Sequence, residues 1–206
     1  MSNRTEIRIT GFGGQGVVLA GHIIGHACAV NGGKHATMIQ SFGPEARGSA
    51  CSTTLAVSDT EVLYPYIGRP NIFVVMSGEG YEKYRDELSD DGMLVYEKDL
   101  VKPDLKKGQP SYGISSTRIA ESLGRTIVQN IVMVGFFAAA SELVTREEMR
   151  SAVEHSVPPG TEELNLKAFD AGWDYFQEEY GRNKTGTVKK PASKAKKKSA
   201  GTKKTG

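Results

Sequence analysis

A cluster of four glycines within six residues separates a predicted strand from a predicted helix near the start of the chain. Residues 7–10 alternate between apolar and polar side chains, a pattern typical of a strand with one buried face. Residues 17–24 are mostly apolar and predict a buried helix. Glycines permit positive φ angles and let a ligand approach the main chain, and a helix start offers unpaired N–H groups. The stretch therefore predicts a main-chain cradle for a phosphate group, formed by Gly11, Gly13, Gly14 and Gly16.

The spacing of Gly11, Gly13 and Gly16 fits the dinucleotide-binding pattern G-x-G-x-x-G. Such sites also need an acidic residue about twenty positions further on, which binds the ribose. The predicted second strand, residues 35–40, contains no acidic residue, and Gln40 stands where the acid is expected. NAD is therefore disfavoured, a P-loop is excluded because no Gly-Lys-Ser/Thr follows, and another phosphate-bearing ligand is expected. The alternative is that the glycines serve only a tight turn and close helix–strand packing.

The segment at residues 40–49, QSFGPEARGS, predicts a loop because Gly-Pro interrupts it. Arg47 suits a phosphate or a carboxylate, which a guanidinium binds through two parallel hydrogen bonds. We expect this loop to form the second half of the site, with Ser41, Glu45 and Gly48 as further candidates. The alternative is an ion pair between Glu45 and Arg47 that only fixes the loop.

Two side-chain amides complete the candidate site. Gln15 lies within the glycine cluster and offers both a donor and an acceptor. Asn130 stands at the start of residues 130–143, which are apolar nearly all round and predict a buried helix. Its amide either donates to the ligand or caps that helix.

Histidine and cysteine usage argues against a metal centre in this chain. His22 and His26 are four residues apart on the first predicted helix, but no third ligand is evident, so buried or interface histidines are favoured. An iron–sulfur cluster needs four thiolates, and the chain has only Cys28 and Cys51. We expect both cysteines to be reduced and buried in a cytosolic protein.

The net charge of +2 conceals an uneven distribution. Residues 182–206 hold ten Lys or Arg and no acidic residue, which leaves 16 basic and 24 acidic side chains, a net of −8, in residues 1–181. An acidic body disfavours nucleic-acid binding by the folded domain. The Lys-rich tail is expected to be disordered, either as a solvated extension or as a tether to an acidic partner.

The start of the chain and its hydropathy carry a separate expectation. Its polar, charged beginning runs straight into a strand, which is unlike a signal peptide. No apolar run reaches membrane-spanning length. A cytoplasmic location without a membrane span is therefore expected.

The order of the predicted elements indicates the fold class. Residues 72–76 predict a central strand covered on both faces, and the helix and strand that follow imply a parallel crossover. Residues 62–67 predict an apolar edge, in which Pro65 marks an edge strand or the end of a strand. Thr145 with Glu148 predicts a capping box, and Thr161 is expected to cap the last helix. We expect an α/β fold: a single Rossmann-like domain at residues 1–181 with a mostly parallel sheet and helices on both faces, followed by the disordered tail at 182–206.

With these segments assigned, the sequence resembles the gamma subunit of 2-oxoacid:ferredoxin oxidoreductases, a module that also occurs within single-chain pyruvate:ferredoxin oxidoreductases. Three stretches carry the likeness: GFGGQGVVLAG at residues 11–21, QSFGPEARGS at 40–49 and QNIVMVG at 129–135. The resemblance extends over most of residues 6–180, in the family's order. One departure is Ser49, where the family's loop commonly has the second glycine of Arg-Gly-Gly.

The resemblance implies a multisubunit enzyme that oxidatively decarboxylates a 2-oxoacid, such as 2-oxoglutarate, pyruvate or an aryl glyoxylate, to its acyl-CoA. It places thiamine diphosphate, Mg and [4Fe-4S] clusters on partner subunits, namely the alpha, beta and ferredoxin-like delta chains. Electrons would leave the complex for ferredoxin or another acceptor. The gamma module would help to bind coenzyme A, would carry no catalytic residue and would be inactive alone. A stand-alone nucleotide-binding protein and a scaffold module are the alternatives.

Overall fold

The computed structural model describes residues 4–41 and 50–181. Six strands in these residues form one sheet in the order β2-β3-β1-β4-β5-β6. The strands are β1 (Thr5–Phe12), β2 (His35–Ser41), β3 (Ala50–Ser58), β4 (Ile72–Val75), β5 (Met93–Glu97) and β6 (Ser111–Ile114). The α-helices are α1 (Val17–His26), α2 (Gly78–Tyr84), α3 (Ser116–Ser122), α4 (Gln129–Ser141), α5 (Arg146–Ser156) and α6 (Glu162–Tyr180).

The sheet is mostly parallel, as predicted. β1 pairs in parallel with β4, β4 with β5, and β5 with β6. β3, however, lies between β1 and β2 and is antiparallel to both. The reason is the short connection at residues 42–49, because a parallel crossover needs a dozen or more residues.

Helices cover both faces of the sheet, which confirms the predicted fold class. The larger hydrophobic cluster joins Ile7, Ile9 and Leu55 to α1, α4, α5 and α6. On the other face, a smaller cluster packs Phe73, Val75 and Leu94 against α2. Helix α4 is buried along nearly its whole length, as its continuous apolar sequence predicts.

The starts of α5 and α6 lie where the capping residues predict them. The capping box of α5 forms, with Thr145 accepting from the N–H of Glu148 and the Glu148 carboxylate accepting from the N–H of Thr145. Thr161 is the N-cap residue of α6, as predicted, but its hydroxyl donates to the carbonyl of Pro158 and makes no capping hydrogen bond. Residues 62–67 form no strand.

The edge strand β6 is protected by a side chain from the end of α6. The hydroxyl of Tyr180 donates to the carbonyl of Gly113 at 3.1 Å and accepts from the N–H of the same residue at 3.2 Å. The phenol thus satisfies main-chain groups that an unpaired edge would expose to another chain. Burial raises the pKa of Tyr180, so the hydroxyl keeps the proton that it donates.

No helix in residues 4–41 and 50–181 is both long and apolar enough to cross a membrane. The predicted division at residue 182 falls where the described part of the chain ends, so the tail lies outside the described residues and the division stays a prediction.

Candidate functional site

The glycine cluster forms the turn between β1 and α1. The N–H of Gln15 donates to the carbonyl of Phe12 at 3.1 Å and closes the turn. Gly14, with φ of 100°, and Gly16, with φ of 73°, adopt the left-handed region that favours glycine. Gly13 and Gly14 are exposed. The tip of the turn therefore presents bare main chain to its surroundings, as the predicted cradle requires.

Two of the predicted ligand glycines instead make close contacts within the protein. A Cβ on Gly11 would lie 2.6 Å from Oε1 of Gln15 and 2.9 Å from Cγ2 of Val17. A Cβ on Gly16 would lie 2.7 Å from Cγ of Asn130. Gly11 and Gly16 therefore serve close packing, which was the alternative role predicted for these glycines. Gly13 and Gly14 remain accessible to a ligand.

The side-chain amide of Gln15 is engaged at both ends by the protein itself. Its Oε1 accepts from the N–H of Phe12 at 2.7 Å, and its Nε2 donates to the carbonyl of Met76 at 3.2 Å. Gln15 therefore ties the end of β1 to the end of β4 and fixes the turn. This contact supports the turn rather than offering a free amide to a ligand.

The first turn of α1 offers donors at the base of the glycine turn. The first intrahelical bond runs from the N–H of Ala20 to the carbonyl of Gly16, and none of the side chains in residues 4–41 and 50–181 caps the helix. The N–H groups of residues 17–19 consequently have no acceptor within the helix. Together with the positive end of the helix dipole, they favour an anion at this position.

Asn130 lies directly behind the turn. It is the second residue of α4, whose N-cap is Val128, so the alternative that Asn130 caps α4 is wrong. The side chain is buried, and its Nδ2 donates to the carbonyl of Gly16 at 3.4 Å. This long hydrogen bond brings the start of α4 against the start of α1.

The sheet register brings both ends of the predicted Arg47 loop to the glycine turn. Ser41, the last residue of β2, pairs with Ser52, which pairs with Thr10 of β1. Ala50 pairs with Phe12, the last residue of β1. Glu45, Arg47 and Gly48 lie outside the described residues. Ser41 and Ala50 nevertheless show that the segment leaves and re-enters the sheet at the edge where the turn lies.

Sequence reasoning missed a buried carboxylate at the same edge of the sheet. Glu97, at the end of β5, accepts hydrogen bonds from the main-chain N–H groups of Thr117 and Asp99, each at 3.1 Å, and from the hydroxyl of Ser116. It anchors the first turn of α3. The signal was present, because an acidic residue directly follows the apolar strand residues 93–96.

The two cysteines agree with the sequence interpretation, whereas His22 is exposed and His26 is half-buried. The rings of His22 and His26 lie 6.2 Å apart beside an apolar cavity of about 230 Å³. In the described part of the chain, no group of three or more His, Cys, Asp or Glu could hold a metal ion. Cys28 and Cys51 are both free and buried. Burial raises the pKa of the Cys28 thiol to about 11, and nearby Lys34 offsets part of that rise.

Fold and turn together define a Rossmann-like α/β module whose glycine turn suits an anionic ligand. The family model for pyruvate ferredoxin/flavodoxin oxidoreductase matches residues 6–175, and the chain belongs to that family. It is 42% identical over 178 residues to the 2-oxoglutarate synthase subunit KorC of Methanocaldococcus jannaschii, covering 85% of this chain and 95% of the relative.

A solved structure gives the same assignment, and a second one shares the fold. The gamma subunit of a keto/oxoacid ferredoxin oxidoreductase from Geobacter sulfurreducens superposes with a TM-score of 0.73 at 34% identity, covering 82% of this chain and 96% of that one. A 2-oxoglutarate:ferredoxin oxidoreductase from Magnetococcus marinus, with 2-oxoglutarate, coenzyme A and succinyl-CoA bound, shares the fold. Its TM-score is 0.76 at 21% identity, and the match covers 92% of this chain and 33% of that one. The chain is thus a gamma-type subunit of a 2-oxoacid:ferredoxin oxidoreductase, as the resemblance implied.

Proposed function

We propose that this chain is the gamma subunit of a 2-oxoglutarate:ferredoxin oxidoreductase and binds the pyrophosphate of coenzyme A at its glycine turn. The choice of 2-oxoglutarate is supported by the 42% identity to a 2-oxoglutarate synthase subunit. A coenzyme A ligand is supported by the M. marinus oxidoreductase, which has coenzyme A bound.

The observation that carries the proposal is the start of α1, which no described side chain caps, beside the exposed Gly13 and Gly14. An anion there would accept hydrogen bonds from main-chain N–H groups and meet the positive end of the helix dipole. Arg47 would add a charge-assisted, bidentate contact from the loop whose ends lie at the same edge. Gln15 and Asn130 would hold the turn in shape without touching the ligand.

The chemistry of the reaction would belong to the partner subunits. Thiamine diphosphate with Mg would cleave the 2-oxoacid, and [4Fe-4S] clusters would carry the two electrons to ferredoxin. The chain's two cysteines are too few for a cluster of its own. We therefore propose alpha, beta and ferredoxin-like delta chains as partners, with this chain supplying the binding surface for the acyl acceptor.

The experiment is steady-state kinetics of the assembled enzyme with Arg47→Ala. Losing a charge-assisted contact should raise the KM for coenzyme A about tenfold or more and leave the KM for 2-oxoglutarate unchanged. Arg150→Ala is the matched control, because Arg150 pairs with Asp170 in the helical layer. Unchanged coenzyme A kinetics would reject the ligand role and favour the Glu45–Arg47 ion pair as a purely structural contact.

A further inference from the structure

The connection between β3 and β4 exposes a group of large apolar side chains. It lies at the end of β1 opposite the glycine turn. This aromatic loop comprises residues 59–71 and contains no helix or strand. Leu63 is 85% exposed, Tyr64 64% and Tyr66 59%. The two tyrosine rings contact each other with their centroids 5.4 Å apart. A contiguous group of exposed apolar residues commonly marks an interaction surface, whereas single exposed apolar residues do not.

The main chain of the aromatic loop is held by charged side chains from β1 and the residue before it. Arg4 donates to the carbonyls of Tyr64 and Tyr66, at 2.9 and 2.8 Å, and pairs with Glu6 at 3.0 Å. Glu6 in turn accepts from the N–H of Gly68 at 3.0 Å. The loop is therefore fixed with its aromatic side chains outward, which lowers the entropy lost when a partner covers them.

The cations next to the aromatic loop are paired with carboxylates of the same chain. Lys34 pairs with Asp59 at 2.5 Å where the loop begins, and Arg69 pairs with Asp90 at 3.3 Å where it ends. A rim of neutralised pairs around exposed tyrosines fits an apolar protein surface better than a nucleic acid or an anionic lipid, since both of these need unpaired cations. The expected occupant is thus a protein.

The share of each structural relative that the chain matches indicates which protein covers the aromatic loop. The same fold occupies only 33% of the M. marinus chain, so there the module is joined covalently to a much larger remainder. The match covers 96% of the separate G. sulfurreducens gamma chain. A module that is a separate chain must hold its partner through non-covalent contacts alone.

We infer that the aromatic loop is the anchor by which this chain binds the companion subunit corresponding to the remainder of the longer M. marinus chain. Tyr64 and Tyr66 would insert into that subunit as the central contacts, because rigid aromatic side chains dominate interface energetics. This inference rests on the proposed subunit role. It leaves the glycine turn, at the other end of β1, open to the acyl acceptor.

The test is co-expression of the complete complex with the double variant Tyr64→Ser/Tyr66→Ser. We expect retention of this chain, measured by native mass spectrometry, to fall at least tenfold. Ile127→Ser is the control, since Ile127 is also a large apolar residue, 77% exposed, but lies in the turn before α4. Equal retention of double variant and control would overturn the inference. Wild-type chain that never co-purifies with a thiamine- or cluster-bearing subunit would instead reject the proposed function.

A second measurement needs no variant. Hydroxyl-radical labelling of Tyr64 and Tyr66 should fall at least fivefold between the isolated chain and the assembled complex. Labelling that is the same in both states would overturn the inference whatever the double variant does. Protection that appears in the isolated chain as its concentration rises, together with dimerisation, would assign the loop to a second copy and likewise overturn it.

Discussion

Asn130 packs directly on Gly16, so that the buried amide of one helix start leaves no room for a Cβ at the other. Gly16 also has a φ of 73°. We therefore predict that Gly16→Ala lowers the free energy of unfolding by about 2 to 4 kcal/mol, from backbone strain and overlap together. Urea denaturation measures the loss.

Gly14→Ala is the matched control for that substitution. Gly14 has a φ of 100° but no described atom within 4 Å of the added Cβ, so only strain of about 1 to 2 kcal/mol applies. Adding Asn130→Ala to Gly16→Ala should recover part of the loss. Equal losses for the two glycine variants would contradict the packing role of Asn130.

Gln15 is predicted to stabilise the turn through its amide. Gln15→Ala leaves the N–H of Phe12 without its acceptor at 2.7 Å, which should cost about 1 to 3 kcal/mol of unfolding free energy. Denaturant titration would measure the loss against Gln177→Ala, an exposed position on α6 expected to change stability by less than about 0.5 kcal/mol. If both variants were equally stable, the bridging role of Gln15 would be refuted.

We predict that the buried thiol of Cys28 lowers the free energy of unfolding at alkaline pH. Its pKa is raised by burial from 9.0 to about 11, so the folded state keeps the thiol proton where the unfolded chain releases it. This contribution is fully present below pH 9 and is lost as the pH rises toward 11, by about 1.4 kcal/mol per unit. We expect wild type to lose about 2 kcal/mol more than Cys28→Ala between pH 8 and pH 10.5 in urea denaturation. Parallel losses would show that another group carries the pH dependence.

Tyr180 is predicted to protect the edge of β6 through its hydroxyl. Tyr180→Phe keeps the ring packing but leaves both main-chain groups of Gly113 without this partner, which should cost about 1 to 2 kcal/mol. Tyr175→Phe is the comparison, because the Tyr175 hydroxyl bonds only the exposed amine of Lys98 among the described contacts. Thermal unfolding would separate the two, and an unchanged midpoint for Tyr180→Phe would count against edge protection.

Local patterns in the sequence predicted most elements of the fold. The continuous apolar residues of α4 and β4 could only be buried, and the Thr145–Glu148 box marked the start of α5. The position of β3 was missed, although the short 42–49 connection already favours an antiparallel hairpin. Residues 62–67 were wrongly assigned to an apolar edge, because hydropathy alone cannot reveal side chains that are kept exposed by main-chain contacts to Arg4.

The candidate site was predictable in its outline but not in the role of each residue. Glycine spacing located the turn, yet it could not distinguish Gly13 and Gly14, which are exposed, from Gly11 and Gly16, which face neighbouring side chains. That distinction depends on contacts across 114 residues of sequence, such as Asn130 with Gly16. No local pattern encodes such a contact.

The antiparallel insertion of β3 has a consequence for how this module could change its cofactor. In dinucleotide-binding folds the strand after the first helix lies next to β1, and the acid at its end reaches the ribose. Here Gln40 pairs with Thr53, and Thr53 pairs with Ile9, so two strand spacings, about 10 Å, separate Gln40 from β1. An aspartate at position 40 would remain out of reach of a nucleoside bound at the turn. Binding of a nicotinamide dinucleotide would thus require a different strand order in this part of the sheet, which substitutions at single positions cannot supply.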